Sequence, residues 1–250
     1  MKVWTIADLH LSFGVPGKKM DVFGERWFNH EERLKEHWLE LIAPEDLVLI
    51  PGDISWAMHF DQAIPDLEWI DRLPGTKLLL RGNHDYWWSA ITKIRKKLPP
   101  TIHLIHNDSM RVGDLEIGGA RLWDNIDLDF DDYVVMNENP FENKEQAELF
   151  SHDEENEKIL HRELLRLETS LKTFKEKDTL KIAMTHYPPV GPEMEETAAS
   201  RLFKKYGVKI VVFGHLHNVT LDSLHYGEKE GIRYIYSAGD YIDFRPIRVL

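Results

Sequence analysis

At 250 residues, with 42% hydrophobic and 30% charged side chains, the chain can bury a sizeable core and is not disordered as its main state. It has no cysteine, so disulfides, thiolate metal sites and thiol nucleophiles are excluded, and no run approaches the roughly 18 apolar residues that span a bilayer. The net charge of −12 is concentrated: from Asp124 to Glu157 thirteen acids face a single base, Lys144, and the rest of the chain is balanced.

Without a basic face the chain is not expected to bind duplex nucleic acid strongly, so any affinity for phosphate must come from a local site. The first residues reach Asp8 with no signal-peptide pattern, and no membrane-facing amphipathic helix stands out, so a cytoplasmic location is expected.

In chain order, short β-branched runs alternate with stretches of helical period, the pattern of an α/β fold. A strand is expected over Lys2–Ala7, followed by Asp8 and His10. Leu34, Trp38, Leu41 and Ile42 give a helical stripe within 29–43, with Asn29 and Glu32 spaced as a capping box. A second strand, Asp46–Ile50, leads into Pro51-Gly52-Asp53, and a third, Thr76–Leu80, into Arg81 and Gly82-Asn83-His84-Asp85. Trp87, Ile91, Ile94 and Leu98 form the next helical stripe, and weaker strands are expected at Thr101–Leu104 and Leu115–Gly118. Beyond the acidic stretch come a long stripe from Leu160 to Phe174 and the strand Leu180–Met184, which ends at Thr185-His186. The strand Val208–Phe213 ends at Gly214-His215-Leu216-His217, and a weak one follows at Arg233–Ser237. The reading is one domain over 1–250, with an acidic insertion or lid near 124–157.

Five strands thus end in turns that carry His, Asp or Asn. In an open α/β sheet the carboxyl ends of the strands share an edge where ligands bind. The residue types suit metal ions rather than a nucleophile triad, and seven potential ligands (Asp8, His10, Asp53, Asn83, His186, His215 and His217) are too many for one tetrahedral ion. Two divalent ions sharing a carboxylate fit the number, and such pairs serve phosphoryl hydrolysis. Two aspartates do not neutralise two such ions, so the site would attract a phosphate ester even in an acidic protein.

The ordered set Asp8-Leu9-His10, Gly52-Asp53, Gly82-Asn83-His84-Asp85, His186 and Gly214-His215-Leu216-His217 resembles the calcineurin-like metallophosphoesterase superfamily. The resemblance implies a four-layer α/β/β/α sandwich of two mixed sheets with flanking helices. It implies that Asp8, His10, Asp53 and His217 hold one ion and that Asp53, Asn83, His186 and His215 hold the other, with Asp53 bridging. It further implies in-line attack on phosphorus by a metal-bridging hydroxide, with His84 assisting the departing oxygen and Asp85 orienting a histidine. The ions would be drawn from Mn, Fe, Co, Ni and Zn.

For the substrate, a small or medium-sized phosphate ester is the leading expectation. A nuclease or nucleic-acid phosphodiesterase is the alternative, and a metal-free interaction module a more distant one. Arg81 and Arg121 are candidate phosphate clamps and Trp123 a candidate stacking face, each weighed against ordinary ion pairing and packing. Trp56, Tyr86, Trp87 and Trp88 flank two of the turns and are candidates for an aromatic wall, although the spacing of Trp87 with Ile91 and Ile94 places at least one in the core. The substrate, the metals and the oligomeric state stay open in the sequence.

Overall fold

The computed structural model describes residues 1–15, 17–135, 153–176 and 178–250. Its first sheet has the order β11-β1-β2-β3-β4, built from β1 (Val3–Thr5), β2 (Leu47–Pro51), β3 (Thr76–Leu80), β4 (Ile102–Leu104) and β11 (Ile247–Arg248). β1 to β4 run parallel, and β11 pairs antiparallel with β1. The second sheet has the order β5-β6-β7-β8-β10-β9, with β5 (Ser109–Val112), β6 (Leu115–Gly119), β7 (Leu180–Met184), β8 (Ile210–Phe213), β9 (Glu228–Lys229) and β10 (Ile232–Tyr236). Its inner strands are parallel and its two edges antiparallel, so both sheets are mixed.

Strand alternation makes the layers. In β2, Leu47 and Leu49 enter a buried cluster with Ile182 and Met184 of β7, whereas Val48 and Ile50 enter one with helix residues. On that outer face pack α1 (His30–Leu41) through Leu34 and Trp38, α2 (Phe60–Asp71) through Leu67 and Ile70, and α3 (Ile91–Arg95) through Ile94. The second sheet is covered by α4 (Asp153–Leu171) through Leu167 and Leu171 and by α5 (Ala198–Tyr206) through Phe203. Each fully buried Leu contributes roughly 1.5–3 kcal/mol. The result is the α/β/β/α sandwich that the family resemblance implies. Among the described residues no helix is long and apolar enough to cross a membrane.

The expected strands and the α1 and α4 stripes are present, with three local differences. Asn29 precedes α1 but adopts a left-handed conformation (φ 51°) and makes no side-chain cap bond, so the expected capping box does not form. Trp87 lies in the turn before α3, its indole N–H held by Asp85 at 2.9 Å, so burial and not helical position explains its spacing. α2 is an element beyond those expected; Pro65 stands inside it, and Ala63, Leu67 and Ile70 carry the buried face. Of the acidic segment read as an insertion or lid over 124–157, residues 136–152 lie outside the described residues.

The two sheets are tied together where the ligand-bearing turns emerge. Ala7, just past β1, donates to Ser237 and accepts from Gly239, which follow β10, at 2.8 and 3.1 Å. Asp8 N–H bonds Gly52 O and His10 N–H bonds Asp53 O, both at 3.0 Å, while Gly214 N–H bonds His186 O at 3.1 Å. Backbone pairing therefore sets the spacing of the turns before any side chain takes part.

Candidate metal centre

All seven ligand candidates from the five turns meet in one place. Asp8, His10, Asp53 and His186 are buried almost completely. One ligand atom from each of Asp8, His10, Asp53 and His217 lies within 4.8 Å of the others. His10 Nε2 is 3.2 Å from His217 Nε2 and 3.5 Å from Asp53 Oδ2. On the other side of Asp53, His186 Nε2 lies 3.4 Å from the same Oδ2, 2.6 Å from Asn83 Oδ1 and 3.3 Å from His215 Nδ1. His215 Nδ1 is 3.2 Å from Asn83 Oδ1.

Such spacings are those of donors that share a cation, since ligands about 2.1 Å from one ion stand about 3.0–3.4 Å apart. Two histidines show why a cation belongs there. His186 Nδ1 lies 3.1 Å from Pro51 O and His217 Nδ1 lies 2.9 Å from Asp240 Oδ1. With the Nδ1 protons donated to those oxygens, each Nε2 turns a lone pair towards other lone pairs, which only a proton or a cation can reconcile. Two carboxylate oxygens make the same demand, for Asp8 Oδ1 and Asp53 Oδ2 are buried and have no hydrogen-bond partner. The donor set and its unmet acceptors fit divalent metal ions.

In the bare chain, protons take the part of the cations. Burial lifts the Asp8 carboxyl to about 7, against the pull of His217 and His186. Burial works against the charged form of His217 as well, but the Asp240 carboxylate outweighs it and raises that imidazole to about 9. Asp53 is held well below the usual carboxylate range, because His186 and His10 outweigh its burial. Burial lowers His10 and His215 well below the ordinary histidine value.

The turns are shaped for close approach. Asp8, His10, Asp53 and His215 all have positive φ, between 44° and 77°. Non-glycine residues take that conformation at a cost of order 1–3 kcal/mol, and they concentrate at functional sites. Gly82 and Gly214 are required by contact rather than by φ: a Cβ on either would land on the carboxylate of Asp53 or Asp8 respectively.

His84 sits at the edge of the cluster, its N–H donating to Asp53 Oδ1 at 2.9 Å and its ring centroid 5.6 Å from that of His10. Burial lowers its pKa. The expectation that Asp85 orients a histidine is not met. Its carboxylate accepts from Ile54 N, Ser55 N, Gly82 N and Trp87 Nε1 at 2.8–3.1 Å, so it braces the Asp53 turn against the Asn83 turn. The aspartate that touches a histidine in this way is Asp240, which the sequence reading missed. It follows β10 as Asp8 follows β1, and the same strand-end rule, applied to the weak strand expected at Arg233–Ser237, points to it. Asp124 also approaches the cluster, with Oδ1 3.9 Å from His215 Nε2.

Arg81 and Arg121 line a separate small cleft with His106, Glu163 and Arg166, and not the cleft that His10, His84 and His217 line. Arg121 pairs with Glu163 at 3.3 Å and lies over the Trp123 ring at 4.5 Å. Trp123 in turn packs against Tyr187, whose ring centroid is 3.8 Å from that of His215. Of the aromatic candidates, Trp87 and Trp88 are core, while Trp56 and Tyr86 face open space beside His84.

A family model described as calcineurin-like phosphoesterase matches residues 1–219, and the chain belongs to that family. Its fold is similar to that of phosphopantetheinyl hydrolase (PptH) from Mycobacterium tuberculosis, with a TM-score of 0.57 and 15% identity over 100% of this chain and 95% of that one. The protein AQ665 of Aquifex aeolicus, described as of unknown function, aligns over 99% of this chain and 95% of its own at 15% identity and a TM-score of 0.46. The Gene 66 protein of Mycobacterium phage D29 is 37% identical over 83 residues, a match that takes in 33% of this chain and 40% of the phage protein's length.

Proposed function

We propose that this chain, acting as one domain, is a dinuclear metal-dependent phosphoesterase that hydrolyses a small or medium-sized phosphate ester. One observation carries the reading: Asp8 Oδ1 and Asp53 Oδ2 are buried, unbonded and surrounded by histidine nitrogens. Asp8, His10, Asp53 and His217 would hold one ion, and Asp53, Asn83, His186 and His215 the other. Divalent ions so held supply Lewis-acid charge to a phosphoryl group and acidify water.

The chain's own residues do the rest. Asp240 fixes the ring of His217, and Pro51 O fixes that of His186, so that each presents one nitrogen to the cluster. Burial lowers the pKa of His84 below the ordinary histidine value. In this reading the imidazole takes a proton from solvent and delivers it to the departing oxygen as a water oxygen bonds to phosphorus and the P–O ester bond breaks. Asp124 beside His215 puts an acidic side chain at the site, which disfavours long polyanions and supports a compact substrate.

The test is elemental analysis of the purified chain together with a screen of phosphomonoesters and phosphodiesters in Mn, Fe, Co, Ni or Zn. Two ions per chain and turnover of small esters are expected. At most one ion at saturation removes the dinuclear account, and turnover confined to nucleic acid moves the assignment to a nuclease.

A further inference from the structure

The centre does not open onto a bare surface. His84 gives onto a cleft of about 520 Å³ that is walled by Met20, Phe23, Trp27 and Trp56. A neighbouring hollow of about 380 Å³ shares Phe23, Trp56 and His84 and adds Tyr86, Lys18 and Lys19, with Lys18 Nζ 5.8 Å from the Trp56 ring centroid. Ligand sites commonly fall in this size range, with mostly apolar walls and few polar groups.

The walls are flat and ordered. The rings of Trp56 and Phe23 are parallel within 5°, with centroids 6.5 Å apart. His84 leans on Trp56 at 4.5 Å, and Tyr86 stands edge-on to His84 at 6.3 Å and 78°. At the mouth, Val22 and Tyr86 are each 49% exposed, leaving apolar surface that a guest would cover. A planar guest gains stacked or edge contacts from such walls in addition to burial, whereas an alkyl chain gains burial alone.

We propose that this cleft receives the leaving group of the ester and that the leaving group carries a planar aromatic body, either a nucleobase or a simple ring. The proposal rests on the phosphoesterase reading above and on the place of His84, which borders both the cluster and the cleft. It selects a substrate class by shape: the ester oxygen lies at His84, and the ring attached through it lies along Trp56 and Phe23.

Two matched pairs of substrates test it on the metal-loaded enzyme: benzyl against butyl phosphate, and adenosine 5′-monophosphate against ribose 5-phosphate. All four are alkyl esters, so differences within a pair report the cleft and not leaving-group acidity. The aromatic member should lead in kcat/KM by about 5- to 100-fold, the range that stacking on a protein ring commonly gives, with most of the lead in KM. Phe23→Ala and Tyr86→Ala should each shrink the lead at unchanged metal content; Tyr86 is half exposed, so its variant tests the cleft even if Phe23→Ala fails to fold. Quenching of tryptophan fluorescence by adenosine or benzyl alcohol gives a second readout that needs no turnover. A lead in only one pair identifies the kind of ring. No lead in either pair overturns the inference and leaves the phosphoesterase reading intact. Failure to hydrolyse all four counts against that reading instead, and the quenching experiment then decides the cleft: quenching supports it and its absence overturns it.

Discussion

Asp8 and Asp53 differ sharply from Asp85, although all three are buried carboxylates just past parallel strands of one sheet. Asp85 accepts four N–H groups and holds two turns together. Asp8 accepts His215 N–H on Oδ2, Asp53 accepts His84 N–H on Oδ1, and each keeps its other oxygen unbonded. Burial of an acid therefore does not distinguish a structural group from a ligand in this fold. The unmet acceptor does, because leaving one buried is costly unless a cation arrives.

The contrast can be broken by substitution, and the largest effect should come at Asp53, the carboxylate that the two proposed ions would share. Asp53→Asn keeps an acceptor for His84 N–H but removes the charge, so it should weaken both proposed ions and lower turnover by about 10⁴-fold or more, as elemental analysis and steady-state kinetics would record. His84→Ala should cost about 10²–10⁴-fold on alkyl esters and leave both ions in place. The loss should be smaller on a p-nitrophenyl ester, whose leaving group departs without a proton; equal losses on both ester types would assign His84 another role.

Asp85→Ala should act on the fold, costing about 3–5 kcal/mol in denaturant melts because several N–H groups lose their acceptor. Asp8→Asn should do the opposite in the metal-free chain and stabilise it by about 1 kcal/mol while emptying its ion site. If Asp8→Asn instead destabilises the metal-free chain as much as Asp85→Ala does, the distinction between the two carboxylates fails. Asp240→Asn falls between a ligand and a brace: a weakening of metal affinity by about 10–100-fold, with the fold intact, is expected from titration.

A further contrast concerns a buried cation of the satisfied kind. Lys77 Nζ donates to Asp71 O, Leu73 O and Thr101 Oγ1, and burial lowers its pKa from 10.5 to about 8. The unfolded chain then holds that proton to higher pH than the folded one, so stability should rise between about pH 8 and 10.5. The slope is at most about 1.4 kcal/mol per pH unit, and Lys77→Met should abolish it in thermal melts.

The sequence made the five turns legible because each motif carries its candidate ligands just past a short apolar run, and strand direction gathers the ends. The four layers followed from the family resemblance, and local pattern supports them in strands such as β2, where alternate residues face opposite clusters. What escaped depends on contacts far apart in the chain. Asp85 carries the same motif whether it serves a histidine or four N–H groups, and only the meeting of the Asp53 and Asn83 turns decides. Arg121 pairs with Glu163, 42 positions away, so its own surroundings in sequence gave no sign of a partner. Met20, Phe23 and Trp27 belong to no motif in the sequence, and their place beside His84 comes from two short 3-10 turns that lack a strong periodic signal.

The bond between Ala7 and the Ser237–Gly239 turn carries a consequence for biosynthesis. The candidate ligands, together with the Asp240 that orients His217, run from residue 8 to residue 240, so during translation the first aspartate must wait for nearly all of the later chain before its partners exist. Contacts so distant in sequence are slow to form. A ribosome-bound chain halted before β10 would lack Asp240, and with it the anchor for His217. Metal capture should therefore be a late event in maturation that reports whether synthesis has run past that strand.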